Sequence, residues 1–204
     1  MSINMIYHNY YEIPTGIDKE VAASIIRQCT SKGLQPALIN QTESVPVEGS
    51  SQPSFEMNGL DTSIRVSDIN WIPTDNWIAG MMAHFVHSAN QHFFNFDLTG
   101  WSENIQYTEY NGPGSKYNWH ADLHPSTYGE GMRKLSISLM LTGPDEYEGG
   151  ELQIIHTERK EMVSFRPALG SAIIFPSTSL HRVRPLKSGK RISLVGWMGG
   201  PNFK

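Results

Sequence analysis

A helix-supported sandwich or jelly roll of short strands is the fold class this sequence predicts, mainly β with supporting α-helices. Three observations carry it. Beyond Leu98 the apolar residues recur at every second position, in eight short runs separated by turn sequences. Helical spacing is confined to two stretches within the first hundred residues. The composition agrees, with 18 Gly, 12 Pro and only 18% charged residues, which suits a turn-rich β protein better than a charged helical bundle.

Taken in order, residues 4–13 are aromatic and β-branched and stop at Pro14, so they read as a strand. A helix is expected over 17–31, capped by Thr15, because Val21, Ala22, Ile25, Ile26 and Cys29 recur with helical spacing; Gly33 ends it. Residues 41–58 are rich in Ser, Pro, Gly and Glu and read as a surface loop long enough to form a lid. A strand over 63–72 ends at Pro73. The second helix is expected over 75–95, capped by Thr74 or Asp75. Its apolar stripe is Trp77, Ile78, Met81, Met82, Phe85, Val86, Ala89 and Phe93, and core packing against a sheet accounts for it. His84, His87 and His92 sit on the same helix. His84 and His87 have a metal-compatible spacing, but no third ligand is signalled nearby, so all three read as surface or core-edge residues.

Eight strands follow, over 102–110, 117–123, 134–142, 151–157, 161–166, 171–176, 180–185 and 191–198. Turn sequences separate them, among them Asn111-Gly112-Pro113-Gly114, Gly143-Pro144-Asp145, Gly149-Gly150 and Lys187-Ser188-Gly189-Lys190. The expectation is a single domain over 1–204, with a helix-bearing support region over 1–100 and the jelly-roll core over 101–204.

Composition also excludes function classes. A single cysteine, Cys29, cannot close an intramolecular disulfide and leaves no cysteine-rich zinc or iron–sulfur site. The net charge of −4 offers no broad basic field, which argues against nucleic-acid binding. No apolar run approaches a membrane span, and the first residues show no secretory pattern. A cytoplasmic location is the resulting expectation; oligomeric state is not readable.

The chemistry is carried by Trp119-His120-Ala121-Asp122. In a strand, residues two apart project to one face, so His120 and Asp122 can converge on one ion. His181, at the start of a later strand, is the natural third ligand. Two histidines and one carboxylate form the facial triad of non-haem Fe(II) oxygenases and leave coordination positions open. Arg191 follows ten residues later, on a strand expected to form a hairpin with that of His181. Pairing near Val183 or Pro185 puts it about 7–13 Å along the strand from His181. That suits the far carboxylate of a chelating 2-oxo acid, which an arginine clamps bidentately. Ser193 shares the face of Arg191 and can add a hydroxyl donor.

At these residues the chain resembles the Fe(II)/2-oxoglutarate-dependent dioxygenases of the prolyl 4-hydroxylase-like branch, and in places the PKHD-type hydroxylases. The motifs are Tyr110-Asn111-Gly112-Pro113-Gly114, Tyr117 to Asp122, Leu135 to Leu141, Tyr147 to Leu152, Ile173 to Ser177, and Leu180 to Val183 with Arg191. The resemblance implies a double-stranded β-helix, a cupin-like jelly roll. It implies Fe(II) held by His120, Asp122 and His181, with 2-oxoglutarate clamped by Arg191 and bonded by Tyr110. O2 is the oxidant, with ascorbate as reductant. A further tyrosine of some relatives falls at Met140 here, so that donor is absent, and Ser193 is its substitute. The implied reaction is hydroxylation of an unactivated C–H bond, foremost in a peptidyl proline, releasing succinate and CO2. Tyr117, Trp119 and Trp197 are the candidate substrate-facing aromatics, and Arg133, Arg182 and Arg184 are weaker candidates for contact with a peptide or protein substrate. Two alternatives remain: the same chemistry on a free amino acid or small metabolite, and a non-catalytic metal-binding jelly roll. A second arginine six residues after Arg191, as in nucleobase-demethylating relatives, is replaced by Trp197.

Overall fold

A computed structural model describes residues 9–31, 33–37, 61–156 and 159–203. The predicted lid at 41–58 and the start of the first predicted strand lie outside the described residues. In chain order the strands are β1 (Tyr11–Pro14), β2 (Gln35–Pro36), β3 (Arg65–Val66), β4 (Asp68–Ile72), β5 (Gly100–Trp101), β6 (Ile105–Asn111), β7 (Lys116–His120) and β8 (Met132–Met140). They continue as β9 (Tyr147–Gly149), β10 (Leu152–His156), β11 (Glu161–Phe165), β12 (Ser171–Pro176), β13 (His181–Val183) and β14 (Leu186–Gly200). The helices are α1 (Lys19–Thr30) and α2 (Trp77–Ala89), the latter prolonged by a π-helical turn over Asn90–Phe94.

Two antiparallel sheets face each other. The larger runs β1-β12-β8-β14-β6-β4-β2, with β5 and β9 added to β14; the smaller runs β11-β10-β13-β7-β3. All eight strands expected beyond residue 101 are present. The short strands β2, β5 and β9 carry no signal in the sequence, because two or three residues show no period.

Strand alternation divides the large sheet between two environments. One face carries Ile105, Tyr107, Leu135, Ile137, Leu139, Ile192 and Leu194. It packs against Ala22, Ile25 and Cys29 of α1 and Ile78, Met82, Val86 and Ala89 of α2. The helical spacing seen in sequence is therefore core packing, as expected. Burial pushes the Cys29 thiol up to about 12, so it is a protonated core residue. Trp77 departs from the stripe. It lies exposed at the helix start and donates through its indole N–H to Gln28. The opposite face of the sheet, with Tyr110, Met140, Ile173 and Phe175, turns toward Leu152, Ile154 and Val183 of the small sheet.

Both helix caps differ from expectation by a few residues. Asp18 caps α1 by accepting from the N–H of Val21, and Asn76 caps α2 by accepting from Ile78. Thr15 instead donates its hydroxyl to the carbonyl of Gly170, at 2.6 Å, tying the approach to α1 onto the turn before β12. Gly170 has φ +76°, and a Cβ there would run into the carbonyl oxygen of Ile17. Gly170→Ala is expected to cost about 1–3 kcal/mol through the left-handed backbone and this close approach. A urea midpoint equal to that of wild type would contradict it.

Residues 63–72, expected as one strand, form two. Arg65–Val66 pairs with β7 in the small sheet, and Asp68–Ile72 pairs with β6 in the large one. The first hundred residues thus supply strands to both sheets, in addition to the helices. Among the described residues no helix is long and apolar enough to cross a membrane.

Candidate functional site

The space between the sheets holds a cavity of about 370 Å³, and His120, Asp122 and His181 all line it. His120 ends β7 and His181 begins β13. The two residues are directly opposed in the antiparallel pairing, with ring centroids 4.1 Å apart. Asp122 follows two residues after His120. Its Oδ1 lies 3.6 Å from His120 Nε2 and its Oδ2 lies 3.5 Å from His181 Nε2. Donors bonded to one ion at about 2.0–2.2 Å lie within about 4 Å of each other, so these separations suit a shared ion.

Both rings are held in the tautomer that a metal ligand needs. His120 Nδ1 lies 2.7 Å from the carbonyl of Asn118, and His181 Nδ1 lies 2.9 Å from that of Ser179. A carbonyl can only accept, so each Nδ1 carries the proton and each Nε2 lone pair faces the cavity. Burial, and then the neighbouring His181, push the His120 ring down to about 4, leaving it neutral at physiological pH. Burial opposes ionisation of Asp122, but His181, His120 and the Ser136 hydroxyl outweigh it and hold its carboxyl below the usual range.

Ser136 reaches across from β8 in the large sheet and donates to Asp122 Oδ2 at 2.8 Å. Its oxygen also lies 3.0 Å from Ser177 Oγ, and both serines are fully buried. This pair fixes which way the carboxylate points. Ser136→Ala is expected to lower metal affinity about 10–100-fold, since that is the usual effect of removing a ligand's supporting hydrogen bond. Titration with Co(II) checks it, and an unchanged affinity would count against an orienting role.

Arg191 is placed differently from expectation. Its strand does not form a hairpin with that of His181. Arg191 belongs to β14 in the large sheet and pairs with Tyr110 of β6. The residues at Ser188 and Gly189 pair with β9 instead, and β14 runs on in the large sheet, opposite the sheet that holds His181. Arg191 and His181 therefore face each other across the cavity. Arg191 is 1% exposed and has no carboxylate partner among the described residues. One Nη donates to Ser193 Oγ at 3.2 Å, its Nε has no partner, and Cζ lies 5.4 Å from the Tyr110 ring centroid. A buried guanidinium left unpaired is costly, so the site fits a group that brings an anion. Tyr110 and Ser193 line the same end of the cavity. The residues present thus fit both a divalent ion and a chelating dicarboxylate.

Of the aromatic candidates, Tyr117 and Trp197 line the cavity and Trp119 does not. The reason is a β-bulge. His120 opposes His181 and Tyr117 opposes Val183, so β7 carries one more residue than β13 between these pairs. The extra residue breaks alternation and turns Tyr117 to the same side as His120, where the rings stack at 3.5 Å. Trp119 is left on the other face beneath Arg182, whose Cζ lies 4.5 Å from its ring. Arg182 is further held by Gln153, and Arg184 faces Glu151 at 3.6 Å. Only Arg133 of these three arginines lines the cavity. It pairs with Glu103, covers the Trp197 ring at 4.3 Å and donates to the Asp122 carbonyl at 3.3 Å. Burial pushes the Glu103 carboxyl up, and Arg133 tempers the shift.

Several lining residues had no signal of their own in sequence: Arg65, Trp71, Glu103 and Gln106. Ser136 and Ser138 did carry one, as polar residues alternating with Leu135, Ile137 and Leu139. His84, His87 and His92 are exposed on or just beyond α2, and the only cluster of potential ligands among the described residues is His120, Asp122 and His181.

Comparison with known proteins agrees with this geometry. A family profile described as 2OG-Fe(II) oxygenase superfamily matches residues 105–199. A PKHD-type hydroxylase of Hyphomonas neptunium is 43% identical over 89 residues, covering 43% of this chain and 39% of that protein. Another, from a Picosynechococcus species, is 42% identical over 88 residues, covering 43% and 38%. The chain thus spans about two fifths of the length of the curated relatives it matches. Among solved structures, a Pseudomonas putida prolyl-4-hydroxylase superposes with a TM-score of 0.68 at 19% identity, covering 94% of this chain and 92% of that one. A viral collagen prolyl hydroxylase from Paramecium Bursaria Chlorella virus-1, in a 2OG complex, gives 0.65 at 17%, covering 95% and 96%. A prolyl hydroxylase from Trichoplax adhaerens, bound to a hypoxia inducible factor peptide fragment, gives 0.67 at 18%, covering 94% and 83%. These structures share the fold. The matching profile lies over the strands that bear the triad and Arg191, so over residues 105–199 the chain is similar to the 2OG-Fe(II) oxygenase superfamily, and its curated relatives over about that length are PKHD-type hydroxylases.

Proposed function

We propose that this protein is an Fe(II)- and 2-oxoglutarate-dependent hydroxylase whose substrate is a peptidyl proline. The observation that carries the cofactor assignment is Arg191, a buried guanidinium with no carboxylate partner among the described residues, facing the triad across one cavity. His120, Asp122 and His181 hold the ion through three donors, which leaves room on it for a bidentate ligand and O2. Arg191, with the Ser193 and Tyr110 hydroxyls beside it, binds the distal carboxylate and fixes the direction from which the co-substrate reaches the ion. When bound, Fe(II) with 2-oxoglutarate and O2 supplies the oxidising power for C–H hydroxylation, with release of succinate and CO2. The two sheets and the apolar side chains between them keep bulk water from most of this space.

A peptidyl proline is favoured by the relatives, whose names are those of PKHD-type and prolyl hydroxylases, one of them bound to a peptide. Trp71 and Trp197, 6.3 Å apart at the cavity wall, offer the apolar faces that a pyrrolidine ring packs against. A metal-binding jelly roll without catalysis gives no account of Arg191.

Addition of Fe(II) and 2-oxoglutarate without oxygen is expected to give the weak visible charge-transfer band of a keto-acid chelate. Folded, metal-loaded protein that shows no band would sink the assignment. Mass spectrometry of proline-containing peptides after aerobic turnover then reads the substrate as one added oxygen atom. Succinate formed without any peptide product would move the substrate to a small molecule.

A further inference from the structure

Charge around the cavity leaves one group unaccounted for. Three arginines line it, Arg65, Arg133 and Arg191, against two carboxylates, Glu103 and Asp122. Arg133 pairs with Glu103. In the reading above, the divalent ion faces Asp122 and the dianionic co-substrate, and Arg191 faces the latter's distal carboxylate. Among the described residues, every charge lining the cavity then has its counterpart except that of Arg65.

Arg65 is 6% exposed, yet it forms no ion pair among the described residues. Its side-chain contacts among the described residues are to neutral groups. Nε donates to Ser67 Oγ at 2.8 Å and one Nη donates to Gln106 Oε1 at 2.8 Å. Cζ lies 4.5 Å from the Tyr117 ring centroid. Ser67, Gln106 and Tyr117 orient the guanidinium without neutralising it, and the remaining Nη is not among the buried atoms lacking a partner. The Tyr117 ring, which Arg65 covers, also stacks on the His120 ring. An anion held by Arg65 thus lies in the same cavity as the triad, beside the ring that stacks on His120.

We propose that Arg65 makes this cavity selective for a substrate that carries a carboxylate close to the reacting carbon. The inference rests on the co-substrate reading, because only with Arg191 occupied by 2-oxoglutarate is Arg65 the unmatched cation. The carboxylate has two sources, the α-carboxylate of a free or C-terminal residue and the side chain of an adjacent acidic residue. A purely structural Arg65, bridging β3 to β6, makes a different forecast: its loss lowers stability and leaves no charge preference.

The test uses the whole protein loaded with Mn(II) and 2-oxoglutarate, reading quenching of Trp71 and Trp197 fluorescence. The probes are two matched pairs: proline against prolinamide, and end-blocked Asp-Pro against end-blocked Asn-Pro, each repeated with alanine in place of proline. The anionic member of at least one pair is expected to bind about tenfold or more tighter, as a charge-assisted hydrogen bond gives. The responding pair identifies the source of the carboxylate. In Arg65→Gln the preference is expected to fall below about twofold, and Arg65→Lys is expected to retain most of it. Anionic and neutral members bound equally, neither member bound in any pair, or a preference surviving in Arg65→Gln would overturn the assignment. The anaerobic keto-acid band of wild type separates the two readings: its absence removes the co-substrate, and its presence without charge preference removes only the role of Arg65.

Discussion

Arg191→Ala is expected to raise the concentration of 2-oxoglutarate needed for half-saturation by two to three orders of magnitude. Truncating one partner of a buried, hydrogen-bonded charge pair costs about 2–5 kcal/mol, and each 1.4 kcal/mol is about tenfold. Metal affinity is expected to stay within about twofold, because Arg191 lies on β14 and every ligand lies on or next to β7 and β13. Stability supplies a second readout. In the wild-type protein 2-oxoglutarate at a hundred times its Kd adds about 2.7 kcal/mol to folding and raises Tm. In Arg191→Ala the same concentration leaves Tm nearly unmoved. Without ligand, the substitution removes an unmatched buried charge as well as packing, so its cost is smaller than breaking a buried ion pair of about 3–5 kcal/mol. Equal co-substrate affinity in mutant and wild type would refute the clamp.

Asp122→Ala is expected to weaken metal binding more than the about 100-fold attributable to a supporting hydrogen bond, and to abolish the keto-acid band. Two neutral imidazoles remain, with no charge to offset a divalent ion. The carboxylate also centres the arrangement, since each of its oxygens faces one histidine and Ser136 fixes its plane. The drop for Ser136→Ala is expected to be the smaller of the two. Isothermal titration with Co(II), on protein whose circular dichroism matches wild type, orders the two variants. An Asp122→Ala protein that binds the metal as tightly as wild type would remove Asp122 from the ligand set.

The pairing of His120 with Asp122 was legible because two residues fix a side, and His181 because it opens a later strand. The eight strands beyond residue 101 were legible for the same reason: period two reports a half-buried sheet whatever the strand's neighbours. Three things were not. Trp119 and Tyr117 share parity with each other and not with His120, so alternation alone puts both on the side away from His120, which holds for Trp119 and fails for Tyr117. The bulge that turns Tyr117 inward is a property of the pairing with β13. Arg191 looked like the return strand of a hairpin, because a turn and a strand follow His181 in sequence. Residues 186–189 pair with β9, not with β13, and the strand continues beside β6 in the large sheet. Arg65 and Trp71 came from a stretch read as one strand, and the break at Ser67 sends one to each sheet.

Local pattern therefore carried the helix faces, the strands and the placing of His120 and Asp122 on one candidate site, since each depends on residues a few positions apart. The folded chain was needed for everything that depends on which strands are neighbours. It set Arg191 across the cavity from the triad and brought Ser136 to Asp122 from the facing sheet. It also set Arg65 in the same cavity with no ion-pair partner among the described residues. Such contacts join residues far apart in sequence, and no periodicity within one segment encodes them, because register and sheet order are set by the packing of both layers at once.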